Sequence, residues 1–136
     1  MNNFELAKTI AAKYHKGQMY GKRDYMYHLE MVAASLMGEF DERLSIIGIL
    51  HDILEDTTCP QSLLFELFED NVVNAVVALS KVDGESYDDY IVRVQSNPLA
   101  LKVKMHDTKC NLEESLMRAD MKRVRKYAKQ MLLLAE

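Results

Sequence analysis

Apolar residues recur every three to four positions along most of the chain, which is the spacing of amphipathic α-helices. The pattern predicts a first helix over residues 4–15 and a second over 27–37. The segment between them, residues 17–24, is rich in Gly, Lys and Arg and is predicted to be a loop. Gly38 is a plausible stop for the second helix. The sequence therefore opens with two helices joined by a polar, basic connection.

The third predicted helix, over 41–54 with Asp41 as its cap, is apolar on most sides. Such a helix is typical of the centre of a bundle. Segment 71–80 also reads as a helix, although its β-branched residues leave a strand open. Further helices are predicted from Pro60 to about residue 68, over 87–96, from Pro98 to about residue 116, and over 120–135.

Composition limits the class of protein. The 136 residues are 49% hydrophobic, which predicts one all-α domain spanning residues 1–136. The net charge of −4 argues against broad nucleic-acid binding. No apolar run is long enough for a membrane span, and the N-terminus lacks the features of a signal peptide. Cys59 and Cys110 have no paired spacing and are predicted to be free thiols in a cytoplasmic protein.

Four ionisable residues interrupt the apolar third helix. His51, Asp52, Glu55 and Asp56 lie within residues 49–57. Each helical residue turns about 100°, so the four side chains share one face. A polar seam towards solvent is one interpretation, but the apolar flanks favour burial, and buried charge needs compensation. A divalent metal bound by the His-Asp pair, with two carboxylates beside it, predicts hydrolytic chemistry.

Two ligands do not hold a metal well, so distant residues must complete the site. Asp107 and Asn111 are four residues apart within segment 104–112 and share a helix face. His28 lies near the predicted start of the second helix, where a lone His is more often structural than a ligand. An ordinary polar helix surface is the alternative for segment 104–112, and a structural histidine is the alternative for His28.

Five segments resemble motifs of one family, in the same order and spacing. Residues 50–57, LHDILEDT, resemble the "LHDxxEDT" segment of the RelA/SpoT-type guanosine polyphosphate hydrolases, which are HD-domain metal phosphohydrolases. Residues 104–112 are similar to that family's "KLADRLHNM" segment at the Lys, Asp and Asn. Residues 15–18 and 24–28 resemble its "HxGQ…PYxxH" opening, and 80–81 resemble a "TK" pair.

The resemblance implies an HD-type helical bundle with a metal site. Its implied metal ligands are His28, His51, Asp52 and Asp107. Its implied catalytic pair is Glu55 and Asp56. The mixed nitrogen and oxygen donors suit Mn²⁺, which the resemblance also implies, with Fe²⁺, Co²⁺ and Zn²⁺ as alternatives. The candidate substrate-binding residues are Asn111 at the ribose, Lys104 and Lys81 near phosphates, Lys22 and Arg23 in the opening loop, and Tyr25, whose ring either stacks on a base or packs in the fold.

The reaction implied by the resemblance is removal of the 3′-pyrophosphate of ppGpp or pppGpp, a small-molecule nucleotide substrate. The chain departs from the family's pattern in its opening loop, 19–24, where Asp24 replaces Pro, and at Thr108 and Cys110. An HD-type nucleotidase acting on another (deoxy)nucleotide is the alternative, and a metal-binding regulatory module is a lesser one. A homo-oligomer is left open. The basic run 122–126 is predicted to be a solvated helix face, with binding of an anionic partner as the minority alternative.

Overall fold

Nine helices and one small hairpin make up the computed structural model, which describes all residues 1–136. None of the helices combines the length and the apolar character that spanning a bilayer requires. In chain order the elements are α1 (Asn3–Tyr14), β1 (Met19–Tyr20), β2 (Arg23–Asp24), α2 (Tyr25–Leu36), α3 (Arg43–Leu50), α4 (Ile53–Asp56), α5 (Gln61–Leu67), α6 (Asp70–Leu79), α7 (Tyr87–Gln95), α8 (Pro98–Met117) and α9 (Met121–Ala135).

Capping side chains set the starts of the first two helices. The Asn2 side chain accepts the Glu5 N–H, and the Glu5 carboxylate accepts the Asn2 N–H in return. This capping box satisfies backbone donors that a helix start leaves free. α2 begins at Tyr25, two residues earlier than predicted, because the Asp24 carboxylate accepts the Met26 N–H. The all-α class is confirmed, and segment 71–80 is helical rather than a strand.

The basic connection predicted as a loop contains a short antiparallel hairpin. Met19 pairs with Asp24, and Tyr20 pairs with Arg23. Gly21 lies in the turn with a φ of +62°, a backbone conformation that glycine adopts without steric cost. The hairpin folds the start of α2 back towards α1 and places Tyr20 in the protein interior.

The predicted central helix is broken at its charged residues. α3 ends at Leu50, and after His51 and Asp52 the chain forms α4, a single turn. The His51 ring explains the break, because its Nδ1 donates to the Gly48 carbonyl at 2.6 Å. In a continuous helix that carbonyl would bond to the Asp52 N–H. The prediction of one helix through residue 54 was therefore wrong at His51 and Asp52, where α3 ends before α4 begins.

The start of α3 also differs from the prediction. The helix begins at Arg43, and Glu42 takes the capping position without a side-chain hydrogen bond. Asp41 lies one residue further out, where its carboxylate accepts the Arg43 N–H and pairs with the Arg43 guanidinium at 2.7 Å. Asp41 therefore fixes the approach to the helix without being its cap.

α3 lies at the centre of the molecule and packs against α1, α2, α6 and α8. α2 and α3 approach closely at Gly48, where a Cβ would lie 2.8 Å from the Leu36 Cδ1 atom and 3.4 Å from the Ala33 Cα atom. This approach brings His28 on α2 next to His51 at the end of α3. Packing of the core therefore determines how closely the two histidines approach each other.

The two cysteines are free thiols, as predicted. Cys59 is buried in the hydrophobic core, and Cys110 on α8 is half-buried and packs against that core. Burial raises the pKa of both thiols, so both are poor nucleophiles at neutral pH. They act as small core residues.

Candidate active site

The four predicted metal ligands meet inside the helix bundle. His28 lies on α2, His51 and Asp52 connect α3 to α4, and Asp107 lies on α8. His28 Nε2 is 2.8 Å from Asp107 Oδ1, and His51 Nε2 is 3.3 Å from the same oxygen. His51 Nε2 also lies 3.1 Å from Asp52 Oδ2. His28, His51 and Asp107 form one compact donor cluster, although His28 and Asp107 are 79 residues apart in the chain, and Asp52 adjoins the cluster through His51 Nε2.

His51 shows that this cluster suits a cation. Its Nδ1 donates to the Gly48 carbonyl, so Nε2 is the atom that faces the carboxylates. Nε2 is buried and makes no hydrogen bond of good geometry, although two carboxylate oxygens lie within 3.3 Å. A buried polar atom without a partner is costly. A divalent ion bonded to Nε2 and to both carboxylates would remove that cost, so these residues fit a metal.

Mutual electrostatics keep the cluster charged. Burial opposes charge on His51, but the carboxylates of Asp52 and Asp107 outweigh it and raise the pKa of His51. Burial also opposes ionisation of Asp52, but His51 outweighs it and lowers the pKa of Asp52 to about 2. For Asp107, burial is outweighed chiefly by the charge of Lys104, and the pKa lies well below its usual range. Metal binding would displace the His51 proton.

Each carboxylate of the cluster has a further partner. The Tyr25 hydroxyl donates to Asp52 Oδ2, and the Lys104 ammonium donates to Asp107 Oδ2 at 3.2 Å. The Tyr25 ring stacks on the buried His15 ring, with centroids 5.1 Å apart. Contacts of this kind hold a metal-ligating carboxylate in one orientation. Tyr25 and Lys104, two of the residues predicted to contact substrate, thus also hold the carboxylates of Asp52 and Asp107.

Asn111 connects Asp107 to a buried tyrosine. Its Oδ1 accepts from the Tyr20 hydroxyl at 2.7 Å, and its Nδ2 donates to Asp107 Oδ1 at 3.2 Å. The Tyr20 ring stacks on His28 at 4.6 Å between centroids, and the Arg118 guanidinium lies over the Tyr20 ring at 5.2 Å. Asn111 therefore joins Asp107 to a tyrosine whose ring packs against His28 and Arg118.

The predicted acidic pair lies on α4, one turn beyond the ligands. Glu55 Oε1 accepts the backbone N–H of Lys81 at 2.5 Å. Partial burial and the neighbouring carboxylates of Asp52 and Glu55 raise the pKa of Asp56 to about 6. The backbone carbonyl of Asp56 accepts from the Gln18 side chain at 2.9 Å, which fixes the end of α4. Both carboxylates line the same open cleft as the donor cluster.

That cleft has a volume of about 260 Å³. Of the predicted substrate-binding residues, Tyr25, Lys104 and Asn111 line it. The side chains of Lys22 and Arg23 do not, and they line a neighbouring cleft beside Arg118 instead. The Arg23 guanidinium lies over the Tyr27 ring at 4.0 Å. Lys81 meets the site through its backbone N–H, and its side chain is outside the cleft.

One wall of the cleft belongs to α9, which the sequence reasoning missed. Arg123, Lys126, Tyr127 and Gln130 all line it. Of the basic run 122–126, which was predicted to be a solvated face, Arg123 and Lys126 therefore line the cleft. A signal was present, because these four residues recur every three to four positions, which places them on one side of a helix. The pattern does not say what that side faces.

This chain is similar in fold to a solved protein and in part of its sequence to a curated one. A solved structure of a metazoan ortholog of SpoT, described as hydrolysing ppGpp and acting in starvation responses, has this fold. The structural match covers 98% of this chain and 86% of the ortholog's chain, with a TM-score of 0.81 and 20% sequence identity. A GTP pyrophosphokinase of Myxococcus xanthus is 34% identical over 79 residues, which are 56% of this chain. The chain spans about 10% of that relative's length. No protein-family model matches the chain. The two matches agree with the predicted resemblance, and the structural match confirms the fold.

Proposed function

We propose that the protein is a metal-dependent phosphohydrolase that removes the 3′-pyrophosphate of ppGpp or pppGpp, giving GDP or GTP and pyrophosphate. The observation that carries the proposal is the presence of three kinds of chemical group in one cleft. These are the donor cluster, the acidic pair of α4 and the cationic side chains of α8 and α9. The substrate is supported by the similar fold of a SpoT ortholog described as hydrolysing ppGpp.

Asp56 is the proposed general base. Its pKa of about 6 suits proton transfer near neutral pH, where a base must be both available and strong enough. Asp56 takes a proton from the water that attacks the phosphorus bonded to the 3′ oxygen. Glu55, held by the Lys81 N–H, orients that water. The new P–O bond forms as the bond to the 3′ oxygen breaks, and the 3′ oxygen takes up a proton.

His28, His51, Asp52 and Asp107 would hold the metal ion. A divalent ion bound there lowers the pKa of water and draws charge from a phosphate oxygen. We propose Mn²⁺, because two imidazoles and two carboxylates suit an ion of intermediate hardness. Fe²⁺, Co²⁺ and Zn²⁺ are the alternative ions, and each is compared with Mn²⁺ in the activity assay below.

Cationic side chains on two walls of the cleft match the charge of a pyrophosphate group. Lys104 lies on α8, and Arg123 and Lys126 lie on α9 with the Tyr127 ring next to both. Fixed positive charge beside the reacting phosphate stabilises the negative charge that shifts to the leaving group and its neighbours. We propose that these three residues bind the pyrophosphate end of the substrate.

The test is pyrophosphate release from ppGpp with each divalent metal, beside phosphate release from nucleoside monophosphates. We expect Mn²⁺-dependent release from ppGpp by the wild-type protein and none by Asp52→Ala. Asp70→Ala is a matched control, because it removes an exposed carboxylate at the start of α6. Phosphate release from monophosphates without pyrophosphate release would replace this proposal with a nucleotidase. Metal binding without either activity would favour a regulatory module.

A further inference from the structure

Arg93 on α7 has every one of its N–H donors bound. Its Nε and Nη2 atoms hold the two carboxylate oxygens of Glu85, each at 2.9 Å. The other three hydrogens reach carbonyl oxygens at the end of α6. Nη1 donates to Val77 at 3.1 Å and to Ala78 at 3.0 Å, and Nη2 donates to Ser80 at 2.7 Å. A guanidinium has five N–H donors, so this one is fully satisfied.

These bonds fix both ends of the connection between α6 and α7, residues 80–86, which we name the clamped loop. Ser80 at its start and Glu85 near its end bind the same guanidinium. Glu85 Oε1 also accepts the Val82 N–H at 3.2 Å, within the loop itself. The hydrogen bonds from Arg93 lower the pKa of Glu85 to about 2, so the pair is charged at neutral pH.

The clamped loop reaches the candidate active site through a single backbone group. The N–H of Lys81 donates to Glu55 Oε1 at 2.5 Å, and it is the one hydrogen bond that the Glu55 carboxylate receives. Glu55 lies on α4, a turn of only four residues. So short a helix has little rigidity of its own. The orientation of the carboxylate therefore depends on where the loop holds the Lys81 N–H.

We propose that Arg93 is a positioning residue, which orients the Glu55 carboxylate by clamping the loop that presents the Lys81 N–H. The inference rests on the proposed role of Glu55 in turnover. Arg93 makes no contact with the metal ligands. Loss of the clamp should therefore reduce kcat and leave metal affinity unchanged. If Arg93 only stabilised the fold, its replacement would lower kcat equally with and without the Glu55 carboxylate.

Arg93→Lys is the test variant, because it keeps the charge and loses the planar fork of five donors. Arg43→Lys is the matched control. Arg43 makes a similar two-pronged bond to Asp41, with Nε at 3.0 Å and Nη2 at 2.7 Å, outside the cleft. Four quantities are measured: hydrogen exchange of the Lys81 amide, kcat and KM for ppGpp, Mn²⁺ affinity, and the effect of Arg93→Lys in a Glu55→Gln background.

We expect Arg93→Lys to speed exchange of the Lys81 amide and to lower kcat by about tenfold or more, as displaced catalytic groups do. Mn²⁺ affinity should not change, and Arg43→Lys should match the wild type. In the Glu55→Gln background, Arg93→Lys should cause no further loss. Unchanged Lys81 exchange, or an equal kcat loss without the Glu55 carboxylate, would overturn the inference.

Two further comparisons separate this inference from other failures. If the wild-type protein releases no pyrophosphate from ppGpp, the proposed function is wrong, and amide exchange alone then decides whether Arg93 holds Lys81. If Arg93→Lys does not fold, Lys81→Pro deletes the N–H directly, and Lys81→Ala is the control that keeps it. A lower kcat for the proline variant than for the alanine variant is expected, and equal values would contradict the inference.

Discussion

The buried ion pair between Lys104 and Asp107 allows one prediction with a worked magnitude. Nζ lies 3.2 Å from Oδ2, and the two side chains are 16% and 6% exposed. Two unit charges at that distance attract by about 5 kcal/mol at an effective dielectric constant of 20. Removing one partner of a buried pair costs about 3–5 kcal/mol, because the other charge stays buried. His28 and His51 still face Asp107 Oδ1, so we expect Lys104→Met to cost the metal-free protein about 3 kcal/mol.

Added metal should compensate this loss. Without Lys104, one positive charge beside a metal ligand is gone, so Mn²⁺ should bind more tightly and raise the Tm more than in the wild type. The assay is urea and thermal unfolding in chelator and in Mn²⁺. Lys102→Met is the control on the same helix, because Lys102 is 48% exposed and lies 3.7 Å from Glu39. Such a surface pair contributes less than about 1 kcal/mol.

Two results would refute this reasoning about the buried pair. One is an equal loss of stability in both lysine variants in chelator, which would mean that the Lys104 pair is no more valuable than a surface pair. The other is a Mn²⁺-induced rise in Tm that is no larger in Lys104→Met than in the wild type.

Three further predictions follow from single contacts. Tyr25→Phe removes the hydroxyl that holds Asp52, so calorimetric titration should show Mn²⁺ affinity about tenfold weaker; equal affinity would refute that role. Arg123→Gln should raise the KM for ppGpp, whereas Arg125→Gln, outside the cleft, should not, and equal KM values would contradict the proposed α9 wall. The pKa of Glu85 is about 2, below its usual 4.5, so its stabilising contribution is complete above pH 4.5 and lost as pH falls towards 2. The urea midpoints of wild type and Glu85→Gln should therefore converge on acidification, and a constant difference would contradict this.

Much of the fold could be predicted because helical periodicity and capping residues are local properties of the sequence. His51 and Asp52 could be proposed as metal ligands because buried charge in an apolar helix demands compensation, whereas His28 and Asp107 were proposed through the family resemblance. The break after Leu50 could not be predicted from that pattern. It depends on the His51 ring reaching the Gly48 carbonyl, a contact that helix periodicity does not encode.

The placement of basic residues depends on tertiary packing. Arg123 and Lys126 follow the pattern of a solvated helix face, and only the packing of α9 on α8 makes that face a wall of the cleft. Lys22 and Arg23 were predicted beside the substrate, but the turn of the hairpin carries them to a neighbouring cleft. A residue's position on its own element can be read from sequence, while the partner it faces cannot.

The most direct test of the central claim measures bound Mn²⁺ and pyrophosphate release from ppGpp together, in the wild type, Asp107→Ala and Glu55→Gln. Because Asp107 is a proposed ligand and Glu55 is not, the variants should separate binding from turnover. We predict that Asp107→Ala loses both metal and activity, and that Glu55→Gln keeps the metal and loses most, but not all, of its turnover. Metal retained by Asp107→Ala, or full turnover by Glu55→Gln, would contradict the account.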